Sequence, residues 1–131
     1  MECEVFVAPF DVKLSSEVED DTPTVVQPDM VVCCDREKLT DQGMSGAPDL
    51  VLEIVSPASG IRDRKDKFVV YERFGVGEYW IVDPEERVLE VYRHTGKKLE
   101  RLGAYGPEDR PAAAALPGFE ADLKRVFRKE S

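Results

Sequence analysis

Apolar residues run together or alternate with polar ones as far as Val55, recur every three or four positions over the next stretch, and alternate again from Glu78. That change of period predicts strands, then a helix, then further strands. "CEVFVAPFDVKLS" has strand-like apolar content, with Pro9 arguing for an edge or a bulge. "SSEVEDDTPT" reads as a solvated acidic turn, "VVQPDMVVCC" as a second strand, and "DREKLTDQGMSGA" as a polar loop long enough to border a site. The continuous apolar run in "PDLVLEIVS" predicts a third, largely buried strand, which Pro57 ends. Ser59 or Asp63 can cap the helix that follows; Phe68, Tyr71, Glu72 and Phe74 have helical spacing, and Gly75 marks its stop. "GEYWIVDPEERVLEVYRHTGKKLERL" predicts two strands joined by "DPEER", a turn at "HTGK" and a short third strand. The tail "LPGFEADLKRVFRKE" predicts a loop and a short amphipathic helix with Leu123, Val126 and Phe127 on one side. In order, these elements predict an α+β (α/β) fold on a mixed sheet.

A chain of 131 residues suits a single domain, 1–131, with one core. No run approaches the ~18 apolar residues that cross a membrane, and nothing at the start resembles a signal peptide, so a soluble, cytoplasmic protein is expected. The cysteines agree: Cys3, Cys33 and Cys34 are an odd count, and adjacent strand residues point to opposite faces, which argues against a disulfide framework. Neither cysteine of the adjacent pair has a recognisable base nearby in sequence to make it a nucleophile. A lone histidine, His94, sits near a predicted turn and leaves no basis for a His-rich zinc site. The net charge of −9 excludes a broadly basic nucleic-acid-binding surface. Any contact with nucleic acid must be local, and the dense basic cluster "IRDRKDKF" follows directly on the third strand.

Two stretches, "QPDM" and "APDLVLEIVSP", each bring Pro-Asp to the start of an apolar run, and the second adds Glu53 in its middle. An ionised carboxylate among Val, Leu and Ile is costly unless a cation or a proton meets it. Residues four apart in a strand share a face, so Asp49 and Glu53 can project the same way, and Asp29 lies near them if the second strand pairs with the third. Converging carboxylates suit a hard divalent cation such as Mg²⁺ or Mn²⁺, which takes one or two of them together with water and phosphate oxygens. Lys67, on the following helix, can add a cation beside an attacked phosphodiester. Each piece also has an ordinary reading. Asp after Pro is often a turn residue; Glu53 can pair with a lysine or arginine; Arg62, Arg64, Lys65 and Lys67 can form a solvated helix face. Tyr79, Trp80 and Ile81 read as core.

"VVQPDMVV", "GAPDLVLEIVSPAS", "RDRKDKFVVYERFGVGEYWIVDPEERVLEVYR" and "LPGFEADL" together resemble the Uma family of restriction-endonuclease-like proteins, a domain of unknown function in the PD-(D/E)XK nuclease superfamily. The resemblance spans nearly the whole chain, and its most specific run lies between Gly46 and Tyr92. It implies a core of a helix, three strands, a helix and a further strand, with the active site at the splayed edge of the central hairpin. Asp29 then matches the Pro-Asp aspartate, Glu53 the acid of the second motif, and Asp49 is a competing or additional match. The superfamily's lysine two residues after that acid is replaced here by Val55, and Lys67 supplies it from the helix. Relatives begin with a hairpin and a helix before the strand matching "EVFVAPFDVKLS", so the domain is expected to be N-terminally short, without the first core helix. The apolar sheet face that this helix would cover predicts a homodimer. The activity implied is divalent-metal-dependent hydrolysis of DNA by an endonuclease, with Asp29, Asp49 and Glu53 as metal ligands. The alternative is a catalytically inactive nuclease-fold module, a dimerising interaction protein in which Lys67 holds Glu53 without metal.

Overall fold

The first apolar segment divides at Pro9 into two strands that join different sheets, β1 (Glu4–Val7) and β2 (Asp11–Leu14). Of the two expectations for Pro9 the edge holds, since β1 is an edge strand of the large sheet; the proline also marks the change of sheet, and the Ala8–Pro9 peptide bond is cis. The computed structural model describes residues 2–14, 24–56 and 60–128, with the backbone alone for 60–63. The expectations for the acidic turn, for Pro57 and for the helix cap at Ser59 or Asp63 lie outside these described residues or side chains.

The remaining strands are β3 (Thr24–Val26), β4 (Met30–Cys33), β5 (Leu39–Thr40), β6 (Gly43–Ser45), β7 (Leu50–Ile54), β8 (Glu78–Asp83), β9 (Val88–His94) and β10 (Leu99–Tyr105). Helix α1 (Gly60–Arg73) links β7 to β8, and a short helix α2 (Leu123–Val126) lies near the C-terminus. Six strands form a large sheet in the order β1-β4-β7-β8-β9-β10, and four form a small one in the order β3-β2-β6-β5. In the large sheet only β7 and β8 run parallel, because α1 carries the chain back over the sheet between them. This is the mixed α+β architecture expected.

Alternation along the central strands sorts the core into two layers. Val31, Cys33, Val51, Tyr79 and Ile81 face one way and pack with Tyr71 of α1 and with Val12, Leu14 and Met44 of the small sheet. Val32, Leu50, Trp80 and Val82 face the other way, beneath Ala113, Ala121, Leu123 and Phe127 of the C-terminal segment. Tyr79, Trp80 and Ile81 are thus core, as expected. Gly77 lets β8 start close against β7: a Cβ there would lie 2.6 Å from the Asp49 carbonyl oxygen.

Four expectations need correction. Residues 35–47 are not one loop; they hold a short 3-10 turn at Arg36–Lys38 and the strands β5 and β6. These strands are only two or three residues long, too short to show a period in the sequence. Strand β10 is seven residues rather than short, with a bulge between Arg101 and Gly103 that breaks its pattern. Val126 does not share the buried side of α2: Leu123 and Phe127 are buried, while Val126 is 56% exposed. Finally, Cys3 and Cys34 form a disulfide. The opposite-faces argument excluded a bond between neighbours, and Cys33 is indeed free on the other face, but the β1–β4 register sets Cys3 across from Cys34. The cysteines therefore lend no support to a reducing compartment.

A second buried acid, Glu78, fastens the layer over the Trp80 face. It is 2% exposed, and its carboxylate accepts from Arg93 at 3.3 Å and from the backbone N–H groups of Ala114 at 3.2 Å and Ala115 at 3.3 Å. Glu78→Ala strands both amides beneath the C-terminal segment, so urea denaturation should show a loss of about 1–3 kcal/mol; a change within about 0.5 kcal/mol, that of an ordinary surface substitution, contradicts the fastening role.

Candidate active site

Glu53 is the fourth residue of β7, and alternation puts it on the same face as Val51, beneath α1. It is 4% exposed. Two residues of α1 meet it there. Tyr71 donates its hydroxyl hydrogen to Glu53 Oε2 at 2.8 Å, and Lys67 Nζ stands 3.1 Å from the same oxygen. Spaced four apart, Lys67 and Tyr71 lie one above the other on the helix, so a single helix orientation delivers both. Tyr71 is fully buried and packs edge to face on Tyr79, with ring centroids 4.9 Å apart.

Asp29 reaches the same end of the sheet from the neighbouring strand. Met30 pairs with Leu52, so the residue before β4 falls beside Glu53. Its Oδ2 accepts from the Ile54 N–H at 2.7 Å, which closes the end of the β4–β7 ladder. The negative charge of Asp29 is felt at Glu53. Burial pushes the Glu53 carboxyl above its ordinary range; the Tyr71 hydrogen bond and the Lys67 charge pull it back, and Asp29 adds to the rise. Burial prevails. Tyr71 is pushed far up by burial and by Glu53, so it remains a phenol and a donor.

Asp49 is not brought to this cluster. It precedes β7, about 13 Å from Glu53 along the strand. Its Oδ2 accepts from the Cys34 N–H at 2.6 Å, and it borders a surface hollow with Glu78 and Arg93 at the opposite end of the sheet. The four-residue step decides its place, and the expectation that Asp49 joins Asp29 and Glu53 is corrected accordingly.

Two other residues on this face, Glu90 and Tyr92, escaped the sequence reading. Across the sheet Glu53 pairs with Ile81, and Ile81 with Glu90, so Glu90 stands on the same face two strands away. Glu90 Oε1 lies 3.4 Å from an Arg64 amino group, and Glu90 Oε2 accepts from Tyr92 at 2.9 Å. Burial and the bond to Glu90 push the Tyr92 phenol up. The available signals were the three-residue step from Arg64 to Lys67 and the alternation in β9 that separates Glu90 and Tyr92 from Leu89 and Val91. Tyr71 was placed on the helix by its spacing, but nothing in the sequence tied it to Glu53. His94, expected in a surface turn, is half-buried at the end of β9, where Nδ1 accepts from Gly96 and Nε2 meets the Glu72 carbonyl at 3.0 Å.

No group of three or more His, Cys, Asp or Glu residues among the described residues is arranged to hold a metal ion. Two carboxylates from adjacent strands are nevertheless a sufficient donor set for Mg²⁺ or Mn²⁺, whose remaining positions go to water and phosphate. The raised Glu53 carboxyl points the same way, since a cation beside it offsets the burial that now favours the proton. Asp29 and Glu53 fit such an ion.

The model of the Uma2 family, described as "Putative restriction endonuclease", matches residues 2–124. No curated protein matches the chain. Among solved structures, the chain is similar to one titled as a "putative nuclease belonging to DUF820" from Anabaena variabilis, with a TM-score of 0.70 and 20% identity over 95% of this chain and 68% of that one. The likeness establishes a restriction-endonuclease-like fold.

The Glu53 carboxyl carries a sign that can be measured. Its folded value lies above the ordinary 4.5, so the stability it contributes is complete below about that pH and declines as pH rises through the raised value. Glu53→Gln cannot titrate and escapes that decline. Thermal melts should therefore show the margin between variant and parent shifting in the variant's favour as pH rises from 4.5 to 8. A margin that is constant across this range refutes the assignment.

Proposed function

Because the chain belongs to the Uma2 family, we propose that its site hydrolyses phosphodiester bonds of DNA as a divalent-metal-dependent endonuclease. The observation that carries this reading is Glu53, a buried carboxylate at the end of a central strand, beside Asp29 and held by Lys67 and Tyr71. Asp29 and Glu53 are the proposed metal ligands; Asp49, at the far end of β7, has no part in it. Bound there, Mg²⁺ or Mn²⁺ supplies Lewis-acid polarisation of the phosphoryl oxygen. Lys67, 37% exposed, turns its ammonium toward the same spot and can orient an attacking water or meet charge developing on the phosphate. Tyr71 fixes the Glu53 rotamer and stays protonated, so Glu53 is oriented without a competing anion.

One observation favours the second reading, an inactive nuclease-fold module. Lys67 lies within ion-pair distance of Glu53, and a buried carboxylate so matched can be purely structural. Titration of Mn²⁺ by calorimetry separates the two. Binding by the parent that disappears in Glu53→Gln supports the metal site, and Lys67→Ala should then lower cleavage of a DNA duplex about 100-fold or more. No heat at millimolar Mn²⁺ leaves the module reading in place.

A homodimer is part of the same proposal. Between the large sheet and the C-terminal segment is an apolar hollow of about 300 Å³, bordered by Val5, Phe119 and Val126, all exposed. That rim supports association of two copies. Sedimentation velocity should give a dimer for the parent and a monomer for Val126→Glu; a monomeric parent refutes the dimer. A cytoplasmic location belongs here too and requires Cys3 and Cys34 to be reduced in the cell. No helix among the described residues is long and apolar enough to cross a membrane.

A further inference from the structure

Arg64, Lys65, Phe68, Ile81 and Tyr92 line a hollow of about 200 Å³ on the α1 face of the large sheet. It is bounded on one side by the strand next to Glu53, since Ile81 is the residue that pairs with Glu53. Neighbouring strands are about 4.8 Å apart, so the hollow and the Glu53 cluster lie within one or two nucleotides of each other along a bound strand. Its floor is apolar: Phe68 and Tyr92 meet edge to face, with centroids 5.1 Å apart, and Ile81 is 4% exposed. Its mouth is cationic. Lys65 is exposed, and Arg64 is 35% exposed at its side chain.

An exposed arginine paired with a glutamate is ordinarily worth little and means little. Here the pairing has a second member. Glu90 takes Arg64 on one oxygen and the Tyr92 hydroxyl on the other, so the guanidinium is steered along the sheet rather than left to solvent. Arg64 stands three residues before Lys67 on the same helix, which sets a fixed cation one turn away from the cation at Glu53. Among the described side chains the acids nearby are Glu90, engaged in this network, and Asp66, which is exposed on the helix. In a chain of net charge −9, a concave site with two cations at its mouth is a marked local reversal.

We propose that this hollow binds a backbone phosphate of the DNA strand flanking the scissile one, with Arg64 as the main contact, Lys65 as the second, and Glu90 and Tyr92 as residues that position Arg64. The assignment rests on the nuclease reading. Arginine suits the task because its planar fork meets two phosphate oxygens at once.

The test is fluorescence anisotropy of a labelled short duplex across a KCl series, with Ca²⁺ as the divalent ion. Arg64→Gln should weaken binding and reduce the slope of log affinity against log salt by about 0.9, the loss of one phosphate contact. Lys65→Gln, at an exposed position whose folding is not at stake, should do the same to a smaller degree. Lys97→Gln, in the exposed turn after β9, is the control and should leave the slope unchanged. Slopes that stay parental in both hollow variants overturn the proposal, as does an equal fall in Lys97→Gln. Calorimetry with Mn²⁺ on Arg64→Gln separates this from the wider reading. Retained Mn²⁺ heat with an unchanged salt slope sinks the phosphate site alone, whereas a parent that binds no DNA at any salt sinks both.

Discussion

A carboxylate kept from water must be matched by something, and the matching of Glu53 explains much of how this molecule is arranged. Its strand is buried on both faces, so the match has to come from above the sheet. Helix α1 brings it, and the parallel β7–α1–β8 crossing fixes the helix over that face. The match is incomplete, since burial still outweighs the lysine and the tyrosine. Glu78, buried on the other face, meets the same constraint differently, through two backbone amides and an arginine. One acid is spent on holding the fold; the other is left needing positive charge. A site for chemistry is the second kind.

Much of this was legible in the residues. The continuous apolar run in "PDLVLEIVS" foretold a buried central strand, because each of its faces meets an apolar layer. Glu53 announced itself because an acid inside "LVLEIV" has no cheap alternative, and Lys67 because it follows at the next helix. What escaped the reading depends on distances that sequence spacing does not carry. Asp49 shares a parity with Glu53, but parity says nothing of the four-residue step that separates them. Cys3 and Cys34 meet only because β1 and β4 pair antiparallel in one register. Glu90 and Tyr92 alternate with Leu89 and Val91 along β9, and only the packing of α1 over that face brings them beside Arg64. The strands β5 and β6 carry so few residues that only their pairing with each other and with β2 defines them.

The small sheet and α1 cover the same face of the large sheet, which leaves the opposite face to the C-terminal segment. That division separates two jobs. Polar groups gather at one end of the α1 face, where Asp29, Glu53 and Lys67 meet, while the opposite face carries an apolar hollow between the sheet and the C-terminal segment. A likeness of 0.70 in TM-score at 20% identity fits the same view. The fold is held by pattern, register and the fastening of Glu78 rather than by many particular side chains.

The disulfide has a consequence for the integrity of the chain. Cys3 and Cys34 enclose β1, β2, β3 and β4 in a covalent ring. A protease that cuts the backbone once anywhere inside this ring opens it without releasing a fragment. Both pieces stay on one molecule, with Asp29 still tethered beside Glu53, until a reductant parts them.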